Sequence, residues 1–294
     1  MVDLSTPTPT LSVRPDVLTA GQATRSVLCL ELAPQRLRLT LLDAQRRMVW
    51  LDEFDQTSLL TDQLLFPQLP ALFSEHPLLC YDQFQTIRVA VSTPAFTLVP
   101  TDLYRREYAA SYLTLMRGHQ SPANELAMAY EHSEGFMGVF GISREVTEFL
   151  GGQFPMQSFT YIHQQSTLIR ASQAVDRQLL SRQNLFIYLE DDQATMLFRE
   201  GHDLRYCNQF GYKNVADLTY YALYVLDELG VDAETVSALA YGAITPFADS
   251  FEALARFIPG LRIGVLPPGL NPTDDLLDIP EHRYFSLQGL CLLR

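Results

Sequence analysis

Alternating hydrophobic and polar positions near the start of the chain predict three consecutive β-strands. Val27 to Leu32 is almost entirely apolar, from Arg36 to Leu41 leucines alternate with arginines and a threonine, and Met48 to Leu51 follows a short polar turn. A helix from about Ser58 to Ser74 and a compact apolar strand from Thr86 to Val91 are predicted next. This order predicts a mixed α/β sheet.

The same order of elements recurs in the second half of the chain. Three strands, a helix, a strand, a helix and a strand are predicted at residues 185–189, 194–198, 204–208, 215–229, 236–241, 246–257 and 261–266. Asn214 can cap the first of these helices, and Gly230 stands where a helix ends. The repeated order indicates a duplicated topology without repeated sequence.

Additional elements separate the two halves. A strand from Phe96 to Pro100, a helix from about Thr101 to Arg117 and strands at 125–131 and 136–140 predict a β-α-β-β insert. A helix that Ser143 caps, a strand at 158–162 and a helix at 163–181 lead into the second half.

These elements predict three parts of the chain. We expect a flexible tail over residues 1–24, a first lobe over 25–182 with the insert at about 94–134, and a second lobe over 183–294. The tail is rich in Thr, Ser and Pro and has neither the basic nor the apolar region of a signal peptide.

The charge balance narrows the classes of partner. Lys and Arg total 21 against 34 Asp and Glu, which gives a formal net charge of −13. Such a chain repels phosphate backbones, so we expect no nucleic-acid partner. No apolar run approaches the length of a membrane span, and the four cysteines are widely spaced, so we expect a cytoplasmic protein without direct membrane insertion.

The order of elements and several segments of this chain resemble known protein families. The duplicated β-β-β-α-β-α unit is similar to the actin-like ATPase superfamily, and the insert and the closing segment from Pro280 to Arg294 resemble its bacterial cell-division and pilus-assembly branch. Three segments, Phe96–Pro100, His163–Leu168 and residues 208–229, resemble the bacterial family of domain of unknown function 3822. The resemblance implies an α/β, ribonuclease H-like, actin-like ATPase fold. The family of domain of unknown function 3822 has no established activity, so the resemblance to it implies no catalytic residues.

The actin-like resemblance implies a site for ATP between the lobes, formed by two hairpin turns and a glycine-rich strand end. The first turn, Glu31 to Gln35, has no glycine, and its Pro34 has no N–H donor. The second turn, Glu190 to Gln193, also lacks glycine and carries adjacent carboxylates. We therefore expect a degenerate cleft with no bound cofactor and no metal site. Its candidate residues are Glu31, Gln35, Asp191, Asp192 and Gly242.

Two further patterns have a structural and a chemical interpretation. Gly135, Gly138 and Gly141 are spaced like a phosphate loop, but the apolar residues between them favour a strand that needs close packing. His163 and Ser166 could form a hydrogen bond on one helix, but the chain has no G-x-S-x-G elbow around a nucleophile. We predict no catalytic residue from either pattern.

Tyrosines on two predicted helices can be either core or recognition surface. Tyr220, Tyr221 and Tyr224 lie on the helix after Asn214, and Tyr104, Tyr108 and Tyr112 are spaced at helical intervals in the insert. Together these features predict a non-enzymatic cytoplasmic scaffold that binds a protein or peptide. The alternative is a divergent ATP-binding switch or weak ATPase whose acidic second turn recruits magnesium.

Overall fold

The computed structural model describes residues 8–55 and 66–293. The described chain divides into two compact units. The first runs to Thr167 and includes Leu270–Asp278, and the second consists of Leu168–Gly269 and Ile279 onwards. The predicted helix from Ser58 lies outside the described residues as far as residue 65, after which a 3-10 turn precedes helix α2, Leu69–Glu75.

The first unit contains a mixed seven-stranded sheet. Its strands are β1 (Leu11–Val13), β2 (Val27–Ala33), β3 (Arg36–Leu42), β4 (Arg47–Asp55), β5 (Thr86–Val91), β9 (Phe159–His163) and β15 (Asn271–Pro272). The order is β1-β4-β3-β2-β5-β9, with β15 also pairing with β4. Strands β2 to β4 are antiparallel, whereas β5 and β9 run parallel to β2. Every residue of β3 is buried, so this central strand is covered on both faces.

Apolar side chains from the sheet and two helices form the core of this unit. Helix α2 and helix α4 (Arg144–Gln153) supply Phe73 and Leu150, which are fully buried with strand residues such as Leu39 and Val89. A short helix α1 (Ala20–Ala23) begins with a capping box formed by Thr19 and Gln22.

The insert is a three-stranded antiparallel sheet with one helix. Strands β6 (Phe96–Pro100), β7 (Glu125–His132) and β8 (Phe136–Ser143) take the order β6-β8-β7, and helix α3 (Ala109–Arg117) packs on them through Leu113. The β-α-β-β order is as predicted. The insert continues through β8 rather than ending near residue 134, because β8 is its central strand.

The second unit repeats the topology of the first. Its strands are β10 (Gln183–Glu190), β11 (Gln193–Glu200), β12 (Asp203–Gly211), β13 (Ser237–Gly242) and β14 (Leu261–Ile263). The order β12-β11-β10-β13-β14 matches β4-β3-β2-β5-β9, again with three antiparallel strands followed by two parallel ones. This confirms the predicted duplication.

The helices of the second unit are α6 (Val215–Glu228), α7 (Asp249–Phe257) and α8 (Phe285–Cys291). Asn214 caps α6 as predicted, because its side chain accepts a hydrogen bond from the Asp217 N–H at 2.9 Å. Every residue of α8 is buried. Helix α5 (Gln164–Asp176) contains the division between the units, after Thr167.

Two predicted boundaries differ from the structure. Residues 8–24 are not simply a tail, since Leu11–Val13 pairs with β4 and α1 is capped. The two units divide after Thr167, whereas the sequence predicts the boundary between the lobes at residue 182. Most of α5 therefore belongs to the second unit. The buried guanidinium of Arg199 contributes to this, donating to Ser172 Oγ at 3.0 Å and to the Ile169 carbonyl at 3.1 Å.

Candidate functional site

The first hairpin turn joins β2 to β3 through two residues. Ala33 pairs with Arg36, which leaves Pro34 and Gln35 to form the turn. Pro34 is exposed and has no N–H, and Gln35 is half-buried. Backbone N–H groups are what such a turn offers to a phosphate, so proline removes one donor from it.

The carboxylate of Glu31 belongs to a buried ion-pair ladder. Its Oε1 lies 3.1 Å from Nη1 of Arg38, whose Nε lies 2.7 Å from Oε1 of Glu53. The strand register places these three residues side by side across β2, β3 and β4. All three are almost completely buried. Because a buried carboxylate needs a counter-charge, Arg38 is the partner that Glu31 requires here.

The second hairpin turn exposes its two aspartates. Asp191 adopts a left-handed backbone conformation with φ of 51°, which aspartate tolerates better than most residues. Tyr212 holds the turn, because its hydroxyl donates to the Asp191 carbonyl at 3.1 Å and its N–H to the Asp192 carbonyl at 2.8 Å. Burial, followed by the two nearby carboxylates, raises the pKa of Tyr212. The turn therefore presents negative charge on its exposed side.

The third element is the end of strand β13 at Gly242. Its φ is 87°, and a Cβ there would overlap the backbone oxygen of Leu189, so the position requires glycine. Three successive N–H groups at this strand end donate to carbonyls of the chain itself. Gly242 donates to His282 at 2.9 Å, Ala243 to Leu189 at 2.7 Å and Ile244 to Gly242 at 2.9 Å.

The segment before α8 completes the hydrogen bonding at this strand end. Besides the carbonyl that accepts from Gly242, His282 uses its Nε2 to donate to the Ile244 carbonyl at 2.7 Å. Tyr241 is buried, and its ring stacks on Phe285 with centroids 3.6 Å apart. Burial raises the pKa of Tyr241 well above its usual value. Carbonyls of the chain therefore accept the hydrogen bonds of all three N–H groups at this strand end, and the Leu189 backbone fills the space where a side chain on residue 242 would lie.

The glycine triplet and the histidine–serine pair have structural roles. Gly135 forms the β7–β8 turn with φ of 82°, and Gly138 and Gly141 lie within β8, where an added Cβ would clash with Ser166 and Glu125.

Ser166 bonds to Nε2 of His132 at 2.9 Å rather than to His163. Ser166 is fully buried and His132 nearly so, which is unsuitable for a nucleophile that must meet substrate.

Sequence reasoning missed Arg38 and His282. In the sequence, Arg38 is one of several polar residues that alternate with leucine, a pattern that favours an exposed strand face. Only the register across three strands shows that two carboxylates flank it. His282 lies 40 residues beyond Gly242, and no local spacing predicts their contact. The glutamates at positions 31 and 53 were the available signal for a buried cation.

Residues 8–55 and 66–293 contain neither a cluster of metal ligands nor a helix that could span a membrane. No group of three or more His, Cys, Asp or Glu side chains there is arranged to hold a metal ion. No helix in those ranges combines the length and apolarity that crossing a membrane requires.

Comparison with known families and structures is consistent with this fold. The family described as protein of unknown function (DUF3822) matches residues 15–261. No curated protein matches the sequence significantly.

Two solved structures are similar over nearly the whole chain. A Bacteroides thetaiotaomicron VPI-5482 protein, described as having an actin-like ATPase fold and unknown function, superposes with a TM-score of 0.76 at 19% identity, covering 95% of this chain and 100% of its own. The PilM-PilN type IV pilus biogenesis complex gives a TM-score of 0.64 at 13% identity, covering 90% of this chain and 97% of the matched one. At these identities the likeness establishes the actin-like fold.

Proposed function

Because this chain belongs to the family described as protein of unknown function (DUF3822) and has an actin-like ATPase fold, we propose that it is a non-enzymatic scaffold that binds another protein. In this proposal the three elements that would contact a nucleotide have become structural. The scaffold works through its surface rather than through hydrolysis.

The hydrogen bonding at Gly242 is the observation that carries the proposal. A nucleotide would need donors and space at this strand end, but the N–H groups of Gly242, Ala243 and Ile244 already donate to carbonyls of the chain. Releasing them would break bonds worth about 1 kcal/mol each. The first turn supports the same conclusion, since Pro34 lacks an N–H and the carboxylate of Glu31 is engaged by Arg38.

Two further observations support the proposal, one for a protein partner and one for a reducing compartment. PilM, which shares the fold, is seen in complex with another protein, PilN. All four cysteines are free thiols: Cys29, Cys80, Cys207 and Cys291. Free thiols persist in reducing compartments, which supports the proposal of a cytoplasmic protein.

A second candidate function rests on the acidic turn. Asp191 and Asp192 are both exposed, and carboxylate oxygens are the ligands that Mg²⁺ prefers. A divergent ATP-binding switch would use them to hold a metal–nucleotide complex, although the phosphate would also meet their negative charge.

Thermal unfolding of the full chain with and without ATP and magnesium tests the proposal. We expect an unchanged melting temperature at millimolar ATP. Binding with ligand at a hundredfold excess over Kd would stabilise the folded protein by about 2.7 kcal/mol and raise the melting temperature by several degrees.

The Asp191→Asn/Asp192→Asn double variant distinguishes the alternatives. A rise in melting temperature that needs both magnesium and these carboxylates would establish the switch and refute the scaffold proposal. A rise that persists in the double variant would also refute it, and would place nucleotide binding elsewhere.

A further inference from the structure

The outward face of α6 carries a continuous stripe of tyrosines and carboxylates. Asp217, Tyr220, Tyr224 and Glu228 follow one another at intervals of three or four residues, which places them on one side of the helix, and Asp227 lies three residues after Tyr224 beside Glu228. Tyr220 is 62% exposed and Tyr224 is 45% exposed. The opposite side of α6 is buried in the core of the second unit.

The two exposed tyrosines belong to a packed row of rings. Phe210 of β12 stacks on Tyr221 with centroids 4.7 Å apart, Tyr221 meets the edge of Tyr220 at 5.6 Å, and Tyr220 stacks on Tyr224 at 6.0 Å. Tyr221 is half-buried and anchors the row to the sheet. Because neighbouring rings already restrict these side chains, a partner loses little side-chain entropy by contacting them.

The charge along this stripe has one sign. Helix α6 contains no lysine or arginine, and the nearest cation in the sequence, Lys213, lies before its N-cap. Glu228 follows Tyr224 by one helical turn, and its carboxylate, more than burial, raises the pKa of Tyr224. The whole chain adds to the local field with its net charge of −13.

We propose that this face of α6 binds an arginine-bearing segment of a partner protein. The inference deepens the scaffold proposal and rests on it. A guanidinium stacks on an exposed tyrosine ring and pairs with a carboxylate at the same time, which matches Tyr224 with Glu228 one helical turn beyond it. Tyrosine and arginine are also, with tryptophan, enriched among the residues from which protein interfaces derive most of their affinity.

Binding of a model peptide to the full chain tests this inference. The probe is a fluorescent alanine-rich helical peptide with arginines at i, i+4 spacing, titrated by fluorescence anisotropy. We expect binding that weakens about tenfold or more in Tyr220→Ala/Tyr224→Ala and in Asp227→Asn/Glu228→Gln. Replacing the arginines of the peptide by lysines should also weaken it, because lysine cannot stack as a planar group.

Matched variants elsewhere on the chain serve as controls. Tyr108 is 56% exposed in the insert, and Glu145 and Glu148 are exposed on α4. Tyr108→Ala and Glu145→Gln/Glu148→Gln should bind the peptide like the wild type. Equal weakening in the control and α6 variants would show attraction to net charge alone and would refute the inference, as would no binding at millimolar protein.

Sedimentation of the chain alone identifies the other possible occupant. A dimer that Tyr220→Ala/Tyr224→Ala dissociates would show that a second copy covers this face, and the inference would then be wrong. A monomer together with α6-dependent peptide binding supports it. Neither result depends on nucleotide, so failure here is distinct from failure of the scaffold proposal.

Discussion

His163, at the end of β9, is a buried histidine whose two ring nitrogens both have backbone partners. Its Nδ1 accepts from the Gln165 N–H at 3.1 Å, so Nε2 carries the proton and donates to the Thr93 carbonyl at 2.9 Å. Phe96 stacks on the ring with centroids 4.5 Å apart. Burial lowers the pKa of His163 to about 4, against a smaller opposing effect of the Thr93 carbonyl.

The lowered pKa of His163 predicts that lowering the pH from 7 to 5 destabilises the protein. Between pH 6.5 and about 4 the unfolded chain binds a proton at this site that the folded chain does not, so stability falls as pH falls through this window. From pH 7 to pH 5 we expect a loss of about 2 kcal/mol from this residue. Urea unfolding at the two pH values measures it.

Two variants show whether His163 is responsible. His163→Phe keeps an aromatic ring beside Phe96 and should lose about that much pH dependence, whatever its absolute stability. His119→Gln, at an exposed histidine, should keep the wild-type dependence. An NMR titration that shows the His163 ring protonating near pH 6.5 in the folded protein would contradict the prediction.

At the scale of the element, replacing glycine by alanine should change stability in opposite directions at a strand end and within a helix. Gly242 ends β13 with φ of 87°, and a Cβ would meet the Leu189 backbone. Gly151 lies within α4, and an added Cβ there would meet nothing within 4 Å. We expect Gly242→Ala to destabilise the protein by several kcal/mol, whereas Gly151→Ala should stabilise it by about 0.4–1 kcal/mol.

Chemical denaturation of the two alanine variants measures this contrast. Gly152→Ala, at the next position of α4, is a matched repeat of the helical substitution, since its added Cβ also meets nothing within 4 Å. A Gly242→Ala protein as stable as the wild type would mean that the strand end can move away from Leu189. That result would also weaken the argument that this element is closed to a nucleotide.

The sequence predicted most elements of the fold, but it predicted their bounds unevenly and missed the shortest strands. Strands β2, β3 and β5 appear almost at their predicted bounds, because their apolar or alternating patterns are clear and turn residues end them. The helix expected from Thr101 begins as two 3-10 turns, and α3 starts only at Ala109. Strand β1 has three residues and β15 two, too few for any periodicity to reveal. Both form because β4 offers them an edge.

At the scale of the whole molecule, element order predicted the duplicated fold but could not predict its buried contacts. The two sheets follow the same strand order, which the sequence pattern already indicated. The positions of the candidate turns follow from that order. What surrounds them depends on register and on distant segments: Arg38 beside Glu31 through strand pairing, and His282 beside Gly242 through the closing segment.

The net charge of −13 leads to a prediction for the intact chain with nucleic acid. A phosphate backbone binds by exchanging counterions for Lys and Arg, and this chain has 21 of them against 34 Asp and Glu. We expect no change in the anisotropy of a labelled DNA or RNA oligonucleotide at low salt, where binding would be strongest. Binding that weakens steeply with added salt would instead reveal a local basic surface.

The net negative charge also bears on the α6 proposal. Varying the salt concentration separates attraction to the overall charge from stacking on the tyrosine rings. Attraction of an arginine peptide to the overall charge should fall with salt equally in all variants, because screening acts on every exposed charge. Contact with Tyr220 and Tyr224 includes ring stacking, so the difference between wild type and Tyr220→Ala/Tyr224→Ala should persist at high salt. If Tyr220→Ala/Tyr224→Ala binds the peptide as tightly as the wild type at every salt concentration, the peptide is responding to charge alone, and the tyrosine row is not a recognition surface.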